Sequence, residues 1–158
     1  MANSDRGPGV RFPPPFIFAG GFLLAWLLHR RLAFDISSAG PGTIQTVAGV
    51  VLLVTGLAWM ASGLVTFGWQ RTAIIPHRPA RVLVQSGPYR FTRNPMYLGL
   101  TCAYVGLSVV LNWAWPLIVL PLVLIVLTTA VIRREETYLR RAFGDDYDAY
   151  CRRVRRWL

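Results

Sequence analysis

An all-α, polytopic membrane protein with about four transmembrane helices is the fold class this sequence predicts, on three observations. Hydrophobic residues make up 54% of the 158-residue chain and charged residues only 15%, which is too apolar for an ordinary soluble domain. The apolar residues are gathered into four segments. The net charge is +10, carried by 17 basic residues that are all arginine and that crowd the ends of those segments, as expected beside anionic lipid. Nucleic acid is a rival partner for such charge, but the apolar runs leave no soluble nucleic-acid-binding module. The whole chain, 1–158, is read as one membrane domain.

The first segment, Phe16 to Leu28, is short and crosses only if its flanks, about 14–34, contribute, with Arg30 and Arg31 snorkelling at the far end. A cleaved signal peptide is the alternative, which His29, Arg30 and Arg31 fit poorly. The second, 44–69, is long enough to cross with tilt. Gly49, Gly56 and Gly63 recur every seven residues along it, a stripe against which another helix can pack closely. The third and fourth, 96–111 and 113–132, meet at Asn112 with almost no linker, which demands a tight antiparallel hairpin that returns its far ends to one another. Pro116 suits the first turn of the fourth helix, and Pro121 is expected to bend it.

Orientation follows from arginine. The loop from Gln70 to Pro95 has five arginines and no acid, and the stretch after Ile132 has eight arginines against five carboxylates, so both are expected on the cytoplasmic side. Tyr147, Tyr150, Cys151, Val154, Trp157 and Leu158 follow helical steps with arginines between them. That pattern predicts an amphipathic interfacial helix that anchors in the headgroup region and carries no chemistry.

Metal chemistry is not indicated. Cys102 and Cys151 stand apart, as do His29 and His77, and no cluster has ligand spacing. Glu135 and Glu136 are harder to dismiss. They follow a membrane span directly, and the hairpin brings them toward Arg93, Asn94 and Tyr97, so they are either paired with Arg93, Arg133 or Arg134 or put to use.

From Thr72 onward, "TAIIPHRPARVLVQSGPYRFTRNPMYLG", a hairpin, and "EETYLRRAFGDDYDAY" together resemble the isoprenylcysteine carboxyl methyltransferase and phospholipid methyltransferase group of integral-membrane enzymes. The pattern GxYxxxRHPxYxG followed by EExxLxxxFGxxYxxY matches in order and spacing over slightly more than half the chain, with Asn94 where many relatives have His. The resemblance implies methyl transfer from S-adenosylmethionine, leaving S-adenosylhomocysteine, without a Rossmann glycine fingerprint. It implies a cytoplasmic cofactor pocket built by Tyr89, Arg93, Asn94, Pro95 and Tyr97 together with Glu135 and Glu136. Gly87 and Gly99 serve close approach or packing. Arg133 is a candidate for orienting an anionic acceptor through a bidentate pair.

The acceptor implied is amphiphilic, an isoprenylcysteine-like carboxylate or a lipid headgroup, reached from a bilayer containing anionic lipids in the inner membrane of a prokaryote. Two other classes stay open: a nicotinamide-dependent membrane reductase of the sterol-reductase type, and a non-catalytic four-helix membrane protein.

Overall fold

The computed structural model describes residues 13–69 and 82–158. Gln70, Arg71 and the stretch "TAIIPHRPAR", with Arg78, Arg81 and part of the resemblance, lie outside the described residues, as do residues 1–12. Five helices follow in order: α1 Pro14–Arg31, α2 Thr43–Trp69, α3 Pro95–Val110, α4 Trp115–Leu127 and α5 Arg133–Arg153. A 3-10 turn, Gly87–Arg90, precedes α3, and a π-helical turn, Thr128–Ile132, joins α4 to α5.

Helix α2 is apolar on all sides, and it buries its smallest residues rather than its largest. Gly49, Gly56, Gly63 and Thr66 face inward, whereas Val47, Val50, Val51, Val54 and Leu57 are exposed. That inversion suits a helix whose outer face meets lipid and whose inner face must let another backbone come close. The partner is α3. A Cβ on Gly56 would lie 2.6 Å from the Ala103 amide nitrogen, and one on Gly99 would lie 2.6 Å from the Gly56 carbonyl oxygen. The seven-residue stripe is therefore the seam between the two helices, with Gly99 and Gly106 answering it from α3.

The second pairing sets α4 on α1. Gly21 of α1 makes room for Val123, Ala25 is fully buried, and Phe18 and Phe22 meet Tyr104 of α3 edge-on with ring centroids 6.0 and 5.2 Å away. The core continues through Val119, Val123, Leu127, Val131 and Ile132, so it runs the length of α4 and ends where the glutamates begin. Pro116 occupies the first turn of α4 and Pro121 its interior.

The hairpin turns at Asn112, whose φ of 62° places it in the left-handed region that asparagine tolerates better than most residues. Its side chain is put to use as well. Asn112 Oδ1 accepts from the Ser37 amide (3.0 Å) and from Gln45 Nε2 (2.9 Å), and its Nδ2 donates to the Ser37 carbonyl (2.8 Å). The turn thus also ties down the connection between α1 and α2.

Among the described residues two helices are long and apolar enough to cross a membrane: Thr43–Trp69 and the continuous Trp115–Phe143. At about 1.5 Å per residue the 27 residues of α2 reach about 40 Å, more than a hydrocarbon core of about 30 Å. Helix α3 is apolar but shorter, and the 18-residue α1 packs against α4.

The stretch after Gly144 departs from the expected interfacial anchor. Gly144 adopts φ 50°, ψ −123° inside α5, a left-handed conformation that glycine reaches without penalty, and the chain changes direction there. Tyr147, Tyr150 and Val154 are then buried, packed with Leu83, Leu139, Phe143 and Cys151. Helix α5 ends at Arg153 and Val154 is extended. Apolar residues at helical spacing do mark a buried face, but what buries it is the loop before α3 rather than lipid headgroups.

Candidate functional site

Three pieces of chain converge at one end of the bundle: the loop and first turn of α3 (residues 86–97), the first turn of α5, and the strap Val154–Leu158. Pro95 opens α3 at a position where its missing N–H costs nothing, and the turn it starts carries Tyr97 toward α5. The Tyr97 hydroxyl donates to Glu135 Oε1 at 2.8 Å. The π-helical turn Thr128–Ile132 lies immediately before the glutamates. Its extra residue rotates everything after it about the helix axis, and such single wide turns gather at functional sites.

The two glutamates are held differently. Glu136 sits between two guanidiniums: Arg156 grips both of its oxygens, Nε to Oε1 at 2.8 Å and Nη2 to Oε2 at 2.7 Å, while Arg93 Nη1 lies 3.3 Å from Oε1. A planar fork on a carboxylate is the strongest form of such a pair. Among the described residues Glu135 has no arginine partner, and it receives its hydrogen bond from Tyr97. Past the apolar run that ends at Ile132, burial pushes the Glu135 carboxyl up to about 7; the Tyr97 hydrogen bond lowers it and the neighbouring Glu136 charge raises it. Of the pair, Glu136 is the structural anchor and Glu135 keeps acceptor capacity to spare.

Arg93 is tied on three sides. Its amide donates to the Arg155 carbonyl (3.0 Å), and its Nη1 reaches both Glu136 and Cys151 Sγ (2.7 Å). Asn94 Nδ2 donates to the Arg156 carbonyl at 3.0 Å, which Thr92 Oγ1 also reaches at 3.1 Å. Tyr89 is buried in the 3-10 turn, edge-on to Phe67 at 5.3 Å, and its carbonyl accepts from the Tyr150 hydroxyl at 2.7 Å. Burial, and then the Glu135 and Tyr150 groups, push the Tyr89 hydroxyl well above the usual phenol range. Gly87, at φ 59°, lets the turn pass against Thr66, whose Oγ1 would stand 2.9 Å from a Cβ there.

The structure therefore brings together Tyr89, Arg93, Asn94, Pro95, Tyr97, Glu135 and Glu136. Arg133 is not in this cluster; it stands exposed at the head of α5. Four further residues touch the site: Thr92, which no motif singles out, and Tyr150, Cys151 and Arg156, which lie in the stretch expected to anchor in the headgroup region without chemistry. One signal for them was present. Tyr147 and Tyr150 lie inside the motif that carries the resemblance, and Gly144 in "FGDDY" marks a reversal of the chain.

Among the described residues, two buried polar atoms in the cluster have no partner, the Tyr89 hydroxyl and Arg93 Nε. Groups so placed cost stability unless a ligand engages them. With the free capacity of Glu135, they offer hydroxyl, guanidinium and carboxylate chemistry to a nucleoside bearing ribose hydroxyls and an amino-acid tail. The residues fit S-adenosylmethionine.

Similarity to known proteins bears on the same segments. The chain is 30% identical over 134 residues to the cobalt-zinc-cadmium resistance protein CzcN of Cupriavidus metallidurans, covering 84% of this chain and 56% of that protein. It is 31% identical over 108 residues to a probable protein-S-isoprenylcysteine O-methyltransferase of Oryza sativa, covering 67% and 56%. It is 30% identical over 170 residues to the nickel-cobalt-cadmium resistance protein NccN of Alcaligenes xylosoxydans, covering 96% and 72%. The chain thus spans a little over half the length of the first two. No solved structure matches it. The model of the phospholipid methyltransferase family matches residues 44–146, taking in α2, the site loop, the hairpin and the two glutamates, and this membrane protein belongs to that family.

Proposed function

We propose that the chain is an S-adenosylmethionine-dependent methyltransferase whose acceptor is an amphiphile drawn from the bilayer, an isoprenylcysteine-like carboxylate or a lipid headgroup. The observation that carries this reading is the 2.8 Å bond between Tyr97 and Glu135, which ties the two motif segments together beside an apolar bundle. Glu135 accepts from ribose hydroxyls or the ammonium group, Tyr89 and Arg93 supply the unpartnered donors, and Tyr97 and Asn94 border the same space. When bound, the cofactor supplies an activated sulfonium methyl. The protein's part is to align the acceptor and exclude water. A carboxylate acceptor needs no general base, and Arg133, exposed at the head of α5 and outside the cluster, is the residue proposed to hold one by a bidentate pair.

The proposed topology has four spans with the site on the cytoplasmic side of a prokaryotic inner membrane. Arg134, Arg141, Arg152, Arg153 and Arg155 are exposed near the site, and they suit anionic lipid phosphates. Two relatives carry metal-resistance names, but among the described residues no three His, Cys, Asp or Glu side chains lie together as a metal site would require, so their names do not alter the reading.

Purified protein in lipid nanodiscs, given isotopically labelled S-adenosylmethionine and a lipid extract, is expected to place label in a lipid-soluble product. Absence of label together with binding of a nicotinamide dinucleotide would instead establish the reductase reading. Binding of neither would leave a non-catalytic membrane protein.

A further inference from the structure

Arg156 touches both halves of the site at once. Its backbone carbonyl accepts from Thr92 Oγ1 (3.1 Å) and Asn94 Nδ2 (3.0 Å), and its guanidinium grips both oxygens of Glu136 (2.8 and 2.7 Å). The residue before it accepts the Arg93 amide at 3.0 Å. Of the residues after it, Trp157 packs on the apolar core, while Leu158 stays exposed at the edge of an apolar groove formed with Gly56 and Trp59 of α2 and Leu98 and Cys102 of α3. The strap is delivered to this position by the left-handed Gly144, around which a Cβ would meet nothing within 4 Å.

We propose that Arg156 is a positioning residue for the cofactor site, setting the distance between the Asn94 segment and the Glu136 segment without itself touching the cofactor. The reading rests on the methyltransferase proposal. Its physical basis is that one residue supplies a backbone acceptor to one segment and a side-chain fork to the other. The fork has a definite plane, so it fixes how the Glu136 carboxylate is turned as well as how far away it lies. Glu135 is the next residue on the same helical turn, and its approach to Tyr97 is set by the same anchor. Arg93 also reaches Glu136, but from a single nitrogen at 3.3 Å, which attracts the carboxylate without orienting it.

The test uses the full chain in nanodiscs with four variants: Arg156→Gln, Arg156→Lys, Glu136→Gln and the double variant Arg156→Gln/Glu136→Gln. Two quantities are read: S-adenosylhomocysteine affinity by calorimetry, and hydrogen exchange across residues 86–97 with no cofactor present. Arg156→Gln is expected to weaken binding at least tenfold and to speed exchange of the Arg93 amide. Arg156→Lys keeps the charge and the backbone acceptor but lacks the fork, so it is expected to restore exchange protection more fully than affinity. The double variant is expected to bind no more weakly than the weaker single variant, because both substitutions remove one contact. Parent-like affinity in Arg156→Gln would overturn the proposal, as would a double variant whose loss equals the product of the single losses. If Arg156→Gln does not fold, Arg156→Lys carries the test, and parent-like affinity there is the overturning result. A parent protein that binds no S-adenosylhomocysteine removes the methyltransferase reading. Exchange then decides the strap alone: faster exchange at Arg93 sustains it and unchanged exchange overturns it.

Discussion

The Tyr97 hydroxyl donates to Glu135 Oε1 at 2.8 Å, joining the first turn of one helix to the first turn of another 38 residues later in the chain. The two side chains sit where the apolar bundle gives way to a cluster of polar and charged side chains, and the contact has consequences that can be measured.

Glu135→Gln is expected to weaken S-adenosylhomocysteine binding by about tenfold to a hundredfold, the result of losing an acceptor worth about 1–3 kcal/mol in a buried polar site. The helical bundle is expected to survive, because Glu135 is not part of the Arg93–Glu136–Arg156 network. Calorimetry with circular dichroism as the folding control checks both statements.

The same carboxyl gives a pH dependence of definite sign. Its folded-state value is raised from 4.5 to about 7, so the fold favours the protonated form. The stability that this contributes is complete below about 4.5 and lost as pH rises through about 7. Ligand-free protein is therefore expected to melt lower at pH 8 than at pH 5, with that component absent in Glu135→Gln. Affinity runs the other way, because an ionised carboxylate accepts from the cofactor's hydroxyls and ammonium more strongly than the neutral acid does, so binding is expected to strengthen across the same interval. Melting curves and titrations at pH 5, 6, 7 and 8 decide it.

Asn94 is expected to tolerate histidine and not alanine. Its Nδ2 donates to the Arg156 carbonyl, and imidazole also carries an N–H donor, whereas Asn94→Ala leaves that carbonyl with the Thr92 hydroxyl alone. Asn94→Ala is expected to lower cofactor affinity about tenfold, with Asn94→His within a few-fold of the parent.

The α2–α3 seam predicts a steric result. Gly56→Ala brings a Cβ to 2.6 Å from the Ala103 amide nitrogen, while Gly68, on the same helix, has nothing within 4 Å of such an atom. Overpacking typically costs about 1–3 kcal/mol, so Gly56→Ala is expected to lower the melting temperature and Gly68→Ala to leave it unchanged or raise it. Thermal unfolding in one detergent compares them.

Topology is open to labelling. With native cysteines replaced, single cysteines at Ser38 and Asp145, both exposed, are expected to react with an impermeant reagent from opposite sides of the membrane, Asp145 from the cytoplasm. Reaction of both from one side would contradict four spans.

Much of the bundle was legible in the sequence because a membrane reduces the choices. The run 44–69 differs from α2 by a single residue, the Asn112 junction is the turn it was read to be, and the glycine stripe is a helix seam. Each depends on local chemistry: length of apolar run, absence of linker, size of side chain. The cluster of Tyr97, Arg93 and Asn94 with the two glutamates followed from the hairpin, which leaves its far ends no other place to go. What escaped was the strap. Apolar residues at positions 147, 150 and 154 show that a face is buried, but the same spacing serves lipid or protein, and the deciding feature is one left-handed glycine whose dihedral no periodicity reveals. The π-helical turn at Thr128–Ile132 escaped for a related reason, since nothing in "TTAVI" distinguishes it from an ordinary helical turn.

Calorimetric titration of the purified chain with S-adenosylhomocysteine, repeated on Glu135→Gln, tests the central claim most directly. Saturable one-to-one binding to the parent, weakened at least tenfold by the substitution, is the result the pocket predicts. Equal affinity in the two proteins would contradict the assignment of Glu135, and no heat of binding in either would contradict the cofactor site itself.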